Sequence, residues 1–114
     1  MRKIHKKDNF TVTSENWLDS EGRPEGGVSF GPGFTISWQK GPLGKGIDRV
    51  EPNGAFVKSV LLAVQDRIKF YQTTQFWSYE NAEAIEHIEE ALRFLNMRTQ
   101  RRTEAGTEGT HEGN

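Results

Sequence analysis

The chain has 114 residues, a formal net charge of −1, a hydrophobic fraction of 33%, a mean hydropathy of −0.75 and no cysteine. These values predict one domain, with or without tails, whose small core gains stability by oligomerisation. They exclude disulfides, thiolate metal sites and cysteine nucleophiles, and they give no global basic field that would attract nucleic acid. No apolar run is long enough to span a membrane and the basic start lacks a signal-peptide core, which predicts a cytoplasmic protein.

The first half of the chain predicts a small antiparallel sheet. Residues 1–9 are basic and polar, as in a mobile arm. The β-branched and aromatic residues of FTVTSENW, which begins at Phe10, indicate a strand. Another strand is indicated where Phe34, Ile36 and Trp38 alternate with polar residues. Glycine- and proline-rich loops surround both strands, and a sheet of this size needs a partner element.

The second half predicts two amphipathic helices joined by a short aromatic loop, TTQFW. Apolar residues recur at three- and four-residue steps, which places them on one face of each helix. They are Val57, Leu61, Val64, Ile68 and Tyr71 in the first helix, and Ala84, Ile88, Ala91, Leu92 and Leu95 in the second. Asn53 and Ser78 are each suited to capping a helix start. The last stretch, TEAGTEGTHEGN, has the composition of a disordered tail.

The predicted fold class is therefore α+β, an antiparallel β-sheet followed by an antiparallel two-helix hairpin that oligomerises through its helices. The predicted organisation is a basic arm at 1–9, a β-sheet region at 10–52, the helical hairpin at 53–102 and a C-terminal tail at 103–114.

Two arginines interrupt the amphipathic pattern of the second helix. At about 100° per residue, Arg102 falls within the inward apolar stripe and Arg98 falls on its flank. They are one turn apart, so their guanidinium groups can converge on an anion, to which bidentate guanidinium forks are well suited. The alternative is that they favour the helix macrodipole and cover apolar surface with their stems. The sequence leaves both interpretations open.

Tyr71 and Asn81 are further candidates for ligand contacts, since an aromatic ring can stack on a base and an amide can bond to a base edge. Core packing and a polar first-turn position are the alternatives. Asn81 and Arg98 are seventeen residues apart on one helix, which corresponds to roughly 25 Å. A mononucleotide-sized ligand cannot reach both within one chain. If all these residues serve one ligand, the arginines must come from a second, head-to-tail subunit.

The other motifs give weaker indications of a functional site. GPLGKG lacks the Gly-Lys-Ser/Thr of a phosphate-binding loop, and ordinary turn chemistry explains it better. The histidines are scattered, with no spacing suited to a metal, and the glutamates of the second helix lie on its solvated face. No nucleophile–histidine–acid set or inward carboxylate pair stands out, so the sequence predicts that the protein is not an enzyme.

The hairpin nevertheless resembles a phage family. The segments FYQ, ENA, LRFLNMRTQRR and EGTHE are similar to those of the helical-hairpin anti-defence sponges, which comprise the Thoeris anti-defence sponges and the related anti-CBASS cyclic-nucleotide sponges. The preceding sheet favours the Thoeris branch, because the anti-CBASS branch is essentially all helical. The resemblance covers residues 53–112.

The resemblance implies a non-catalytic protein that binds glycocyclic ADP-ribose, the signal of bacterial TIR-domain proteins, in the cytoplasm of an infected host. It implies a ligand held between two protomers by residues matching Tyr71, Asn81, Arg98 and Arg102. The family's aromatic residue is phenylalanine, so Tyr71 is a departure. It also implies self-association as a homodimer or as a hexamer built from three dimers, with no cofactor and no DNA, RNA or membrane partner.

Some members of the family hold cyclic oligonucleotides, chiefly cyclic tri-adenylate, at a separate site. A cyclic tri- or dinucleotide is therefore a second expected ligand, with Arg49, Arg67 and the threonine-rich tail as candidate contacts. Two other functions compete with the sponge. One is a structural or nucleic-acid-binding oligomer whose arginines contact backbone phosphates, and the other is an enzyme that processes ADP-ribose.

Overall fold

A computed structural model of the protein describes residues 3–8 and 11–105. The chain forms two compact units, which we call the sheet unit, ending at Phe56, and the helical unit, beginning at Val57. This confirms the predicted α+β class. The elements are β1 Lys3–Asp8, β2 Thr13–Leu18, β3 Pro24–Gly31, β4 Phe34–Trp38, a short 3₁₀ turn Gly46–Asp48, α1 Val57–Tyr71 and α2 Tyr79–Ala105.

The sheet has four strands in the order β1-β2-β3-β4, and each antiparallel pair joins neighbours in sequence. It begins earlier than the sequence predicts. The segment predicted as a basic arm contains β1, which pairs with β2 from Lys3 opposite Leu18 to Asp8 opposite Thr13. The sequence KIHKKD carries no apolar alternation, so non-local pairing rather than local pattern makes it a strand. The strand predicted from Phe10 begins at Thr13, and Phe10 itself lies outside the described residues.

Side-chain hydrogen bonds connect the three strands β2, β3 and β4. The hydroxyl of the buried Ser29 lies 2.9 Å from that of Ser14 and accepts a hydrogen bond of 3.0 Å from the indole Nε1 of Trp38. Gly27 on β3 has φ +148°, and a Cβ there would lie 2.2 Å from the Glu15 carbonyl oxygen. Only glycine fits this close approach of the two strands.

Asn53 does not cap α1, contrary to the prediction. Its Oδ1 accepts a 2.8 Å hydrogen bond from the Lys40 amide, and its Nδ2 donates to the Lys40 carbonyl at 3.1 Å. These bonds align Ala55 with the β4 edge, where it forms a parallel bridge with Trp38. The side chain that would cap a helix is thus used inside the sheet unit, and α1 starts only at Val57.

The helical unit is the predicted hairpin, but the inward face of α1 is rotated. Val57 and Val64, predicted to face α2, are 56% and 44% exposed, whereas Gln65 is only 2% exposed. The Gln65 side chain donates across the hairpin to Glu89 at 2.8 Å and to the Ile85 carbonyl at 3.4 Å. Gln65 lies between Leu61 and Ile68 on the same helical stripe, so burying those two also buries the amide.

The predicted faces of α2 are confirmed. Its inward residues are buried or half-buried, and its outer glutamates are exposed. Among the described residues, however, Leu92 is the one large apolar side chain that is buried, at 5% exposure. The low apolar content therefore leaves a thin core, as composition predicted. Neither described helix combines the length and apolar character needed to cross a membrane.

Candidate functional site

The connection between the two helices, residues 72–78, is a hydrogen-bonded loop, which we call the tip loop. Gln72 spans it, because its Nε2 donates to the Ser78 carbonyl at 3.1 Å and its Oε1 accepts from the Ser78 amide at 3.0 Å. The Thr74 hydroxyl donates to the Tyr71 carbonyl at 2.7 Å and accepts from the Phe76 amide at 3.1 Å. Bonds from both ends of the loop hold its conformation before any ligand binds.

The start of α2 fixes Asn81 within this loop. The Ser78 hydroxyl accepts a 2.9 Å hydrogen bond from the Asn81 amide, which confirms the predicted helix cap. The Asn81 side chain donates from Nδ2 to the Phe76 carbonyl at 3.1 Å. Its Oδ1 accepts no hydrogen bond from the described residues. The amide is therefore oriented by the loop while its carbonyl oxygen keeps its accepting capacity.

Tyr71 ends α1 on the other side of the tip loop and is half-buried. Its hydroxyl accepts a 3.2 Å hydrogen bond from Nε of Arg67, whose guanidinium carbon lies 5.0 Å from the ring centroid. Four large aromatic side chains around Tyr71 and the loop are more than half exposed: Phe70, Phe76, Trp77 and Tyr79. This end of the hairpin thus presents an aromatic surface with one oriented amide.

Arg98 and Arg102 lie near the other end of α2, which is helical through Ala105. Arg102 is half-buried in line with Leu95 and Thr99, and its Nε atom is buried. Arg98 is exposed. This burial agrees with the predicted positions, which put Arg102 within the inward stripe and Arg98 on its flank. The arrangement gives two cations on adjacent turns of one rigid helix.

The structure therefore places the predicted ligand residues in two pairs, at opposite ends of the hairpin. Tyr71 and Asn81 flank the tip loop, while Arg98 and Arg102 follow many turns later. Because α2 is one continuous helix, the separation of roughly 25 Å between Asn81 and Arg98 holds in the folded chain. Within one helical unit the four residues do not form one site.

Charge is segregated along α2. Its first half carries five glutamates, and its second half carries four arginines and one glutamate: Glu80, Glu83, Glu86, Glu89 and Glu90, then Arg93, Arg98, Arg101, Arg102 and Glu104. This order favours the helix macrodipole. At the boundary, Arg93 donates from Nε to Glu90 at 2.8 Å. That hydrogen bond, aided by the opposite charge, lowers the pKa of Glu90 and raises the pKa of Arg93.

The sequence named Arg67 only as a candidate contact for a cyclic oligonucleotide, and it did not predict the contact of Arg67 with Tyr71 or the roles of the polar residues in the tip loop. The Arg67–Tyr71 contact had a readable signal, because residues four apart on a helix are neighbours. Gln72 and Thr74 had none, since their bonds depend on the path of the loop. No group of three or more His, Asp or Glu side chains suited to a metal ion occurs within residues 11–104.

Comparison with known proteins gives one informative similarity. The chain is 38% identical over 78 residues to the protein named Thoeris anti-defense 1 of Bacillus phage SBSphiJ7. The aligned region covers 68% of this chain and 52% of the phage protein, so the chain spans about half the length of that relative. No protein-family model matches the chain.

Proposed function

The chain belongs to the family of the phage protein Thoeris anti-defense 1, and on that premise we propose that it is an anti-defence sponge. It binds glycocyclic ADP-ribose, withholds this signal from its effector and does not degrade it. The observation that carries the proposal is the preformed tip, where a hydrogen-bonded loop orients Asn81 and joins it to the helix that ends at Tyr71. A sponge must bind at low signal concentration, and a pocket that is ordered beforehand loses less entropy on binding.

The tip suits the base of the ligand. The Tyr71 ring offers a stacking surface, and stacking of one base on an aromatic side chain contributes about 1–3 kcal/mol. The Asn81 carbonyl oxygen accepts a hydrogen bond from the amino group of adenine, whereas ionised phosphate oxygens offer no donor to it. The tip therefore suits the nucleobase and leaves the charged part of the ligand to other residues.

Arg98 and Arg102 suit the pyrophosphate of the same ligand. Guanidinium groups form two parallel, charge-assisted hydrogen bonds with phosphate oxygens, and these are the stronger class of hydrogen bonds. The partial burial of Arg102 strengthens such a contact, because less water competes with the phosphate. A pyrophosphate offers enough oxygens to occupy both cations.

One site then requires a second copy of the chain, packed head to tail. The arginines of one copy lie beside Tyr71 and Asn81 of the other, and symmetry gives two equal pockets. The charge order of α2 supports this, since the acidic half of one helix would face the basic half of its partner. The exposed Phe94 (58%) and Met97 (51%) give apolar surface to such an interface. A homodimer, alone or within a hexamer, satisfies this requirement.

Binding without chemistry follows from the proposed contacts. Phenol, amide and guanidinium groups are poor general bases at neutral pH, and none of the four residues is an activated nucleophile. The ligand should therefore leave the protein unaltered.

The test is to mix the protein with glycocyclic ADP-ribose, remove unbound ligand, heat the complex and analyse the supernatant. Intact ligand supports the sponge, and a cleaved product supports an enzyme that processes ADP-ribose. No captured ligand, together with salt-sensitive binding that grows with strand length, supports a nucleic-acid-binding protein. The same assay with cyclic tri-adenylate tests the second ligand class.

Single substitutions test the site. Arg98→Ala or Arg102→Ala should leave the oligomer intact and weaken ligand binding by about tenfold to a hundredfold, as expected for a lost charge-assisted hydrogen bond. Arg23→Ala is the control, because it also removes one arginine charge, but from the sheet unit, where Arg23 is paired with Asp19. Calorimetry that gives unchanged affinity for both arginine variants removes the site assignment.

A further inference from the structure

Arg67 stands out because its guanidinium group is held by rings instead of by a carboxylate. The guanidinium carbon lies 5.0 Å from the centroid of the Tyr71 ring and 5.3 Å from that of Phe70. Its Nε donates to the Tyr71 hydroxyl at 3.2 Å. Arg67 forms no ion pair with an acidic side chain in the part of the chain that the structure describes.

These contacts act on Tyr71 in two ways. The hydrogen bond ties the outer end of the phenol to the helix one turn back, which reduces the freedom of the ring before a ligand arrives. The cation over the ring covers one of its two faces through a cation–π contact. A base that stacks on Tyr71 must therefore use the opposite face.

We propose that Arg67 is a positioning residue for base recognition, which orders the Tyr71 ring and leaves a single face open to a nucleobase. The proposal rests on the function argued above and deepens it, because it assigns Arg67 to the base half of the site and gives the Tyr71 hydroxyl a role that a phenylalanine could not fill. A direct phosphate contact by Arg67 is the competing explanation.

A double-mutant cycle separates the two explanations. Affinity for glycocyclic ADP-ribose is measured by calorimetry for wild type, Arg67→Met, Tyr71→Phe and the double variant. Methionine keeps the unbranched side chain as far as the position of Nε but removes the charge and the donors. Lys69→Met is the matched control, because it removes one charge from the same exposed helix end, where the Lys69 side chain forms no hydrogen bond or cation–π contact with Tyr71.

Arg67→Met should weaken binding about tenfold, since it removes both the hydrogen bond and the cation–π contact, and Tyr71→Phe about threefold. The key result is the coupling between the two substitutions, that is, whether the effect of Arg67→Met depends on the Tyr71 hydroxyl. In the Tyr71→Phe background, Arg67→Met should cost only about threefold more, because the hydrogen bond is already gone. Lys69→Met should stay within about twofold of wild type. Thermal unfolding of all variants should remain close to wild type, since Arg67 is exposed.

An equal effect of Arg67→Met in both backgrounds would mean that Arg67 does not act through the Tyr71 hydroxyl, which overturns the positioning role proposed for that hydrogen bond. An Arg67→Met variant that binds like wild type overturns it as well. In both cases the wild type still captures the signal, so the proposed function survives. A wild type that captures no signal contradicts the proposed function, and this inference with it.

Discussion

Gln65 gives the sharpest test of how the hairpin is held together. It is the most buried polar side chain of the helical unit, at 2% exposure, and its amide bonds across to Glu89 at 2.8 Å. Gln65→Ala removes this bond, one methylene group and the remaining amide volume from the seam between the helices. We expect the free energy of unfolding to fall by about 2 kcal/mol, the combined effect of one lost hydrogen bond and a partly collapsed cavity.

Gln65→Leu is the matched comparison, because leucine restores most of the volume without the polar group. Neither hydrogen-bond partner is left buried and unsatisfied, since Glu89 is exposed to water and the Ile85 carbonyl lies inside α2. Replacing a satisfied polar group by an apolar one of similar shape is close to neutral. We therefore expect Gln65→Leu to remain within about 1 kcal/mol of wild type.

Denaturant unfolding followed by helical circular dichroism measures both variants, at one fixed protomer concentration because self-association shifts apparent stability. A Gln65→Ala variant as stable as wild type would show that this seam contributes little. An equal loss of stability in Gln65→Ala and Gln65→Leu would show that the hydrogen bond of Gln65, and not packing, dominates the stability of this seam.

Two further predictions concern the ends of secondary-structure elements. Ser78→Ala should lower stability by about 1 kcal/mol in thermal or denaturant unfolding, because the Asn81 amide loses its capping acceptor, and it should also weaken ligand binding by loosening Asn81. Asp19 accepts hydrogen bonds from the Arg23 and Glu21 amides, and the Arg23 amide is the main cause that lowers its pKa, so an NMR titration should give a value below 3.8. Folding lowers this pKa, so the carboxylate stabilises the protein fully at a pH above its unfolded-state pKa. This stabilisation is lost as the pH falls through the folded-state pKa. An Asp19 pKa that is not lowered would contradict the turn geometry.

Local pattern predicted the helices well and their exact faces less well. Ser78 was identifiable as a cap because its bond to Asn81 spans three residues. Asn53 is also a residue type that caps helices, but it bonds to Lys40, thirteen residues earlier in the chain. No local sequence rule detects such a contact. In α1 the hydrophobic pattern predicted that Val64 faces α2, whereas the neighbouring Gln65 does. A pattern based on hydrophobicity alone does not predict a buried amide.

The site was predictable in its parts and not in its arrangement. The inward stripe of α2 identified Arg102 as unusual, and its partial burial agrees. The basic sequence of β1 gave no sign of a strand, because its pairing with β2 is a tertiary effect. How two copies meet is likewise beyond helical periodicity, which describes one helix at a time.

The central claim is that Tyr71 and Asn81 of one copy share a ligand with Arg98 and Arg102 of another. Two differently tagged variants test it most directly, one with Tyr71→Ala and Asn81→Ala, the other with Arg98→Ala and Arg102→Ala. Each alone should bind no glycocyclic ADP-ribose. After co-expression and purification over both tags, every mixed dimer should hold one intact pocket, so calorimetry should recover about half the wild-type capacity. A mixed dimer that binds nothing would contradict the shared site.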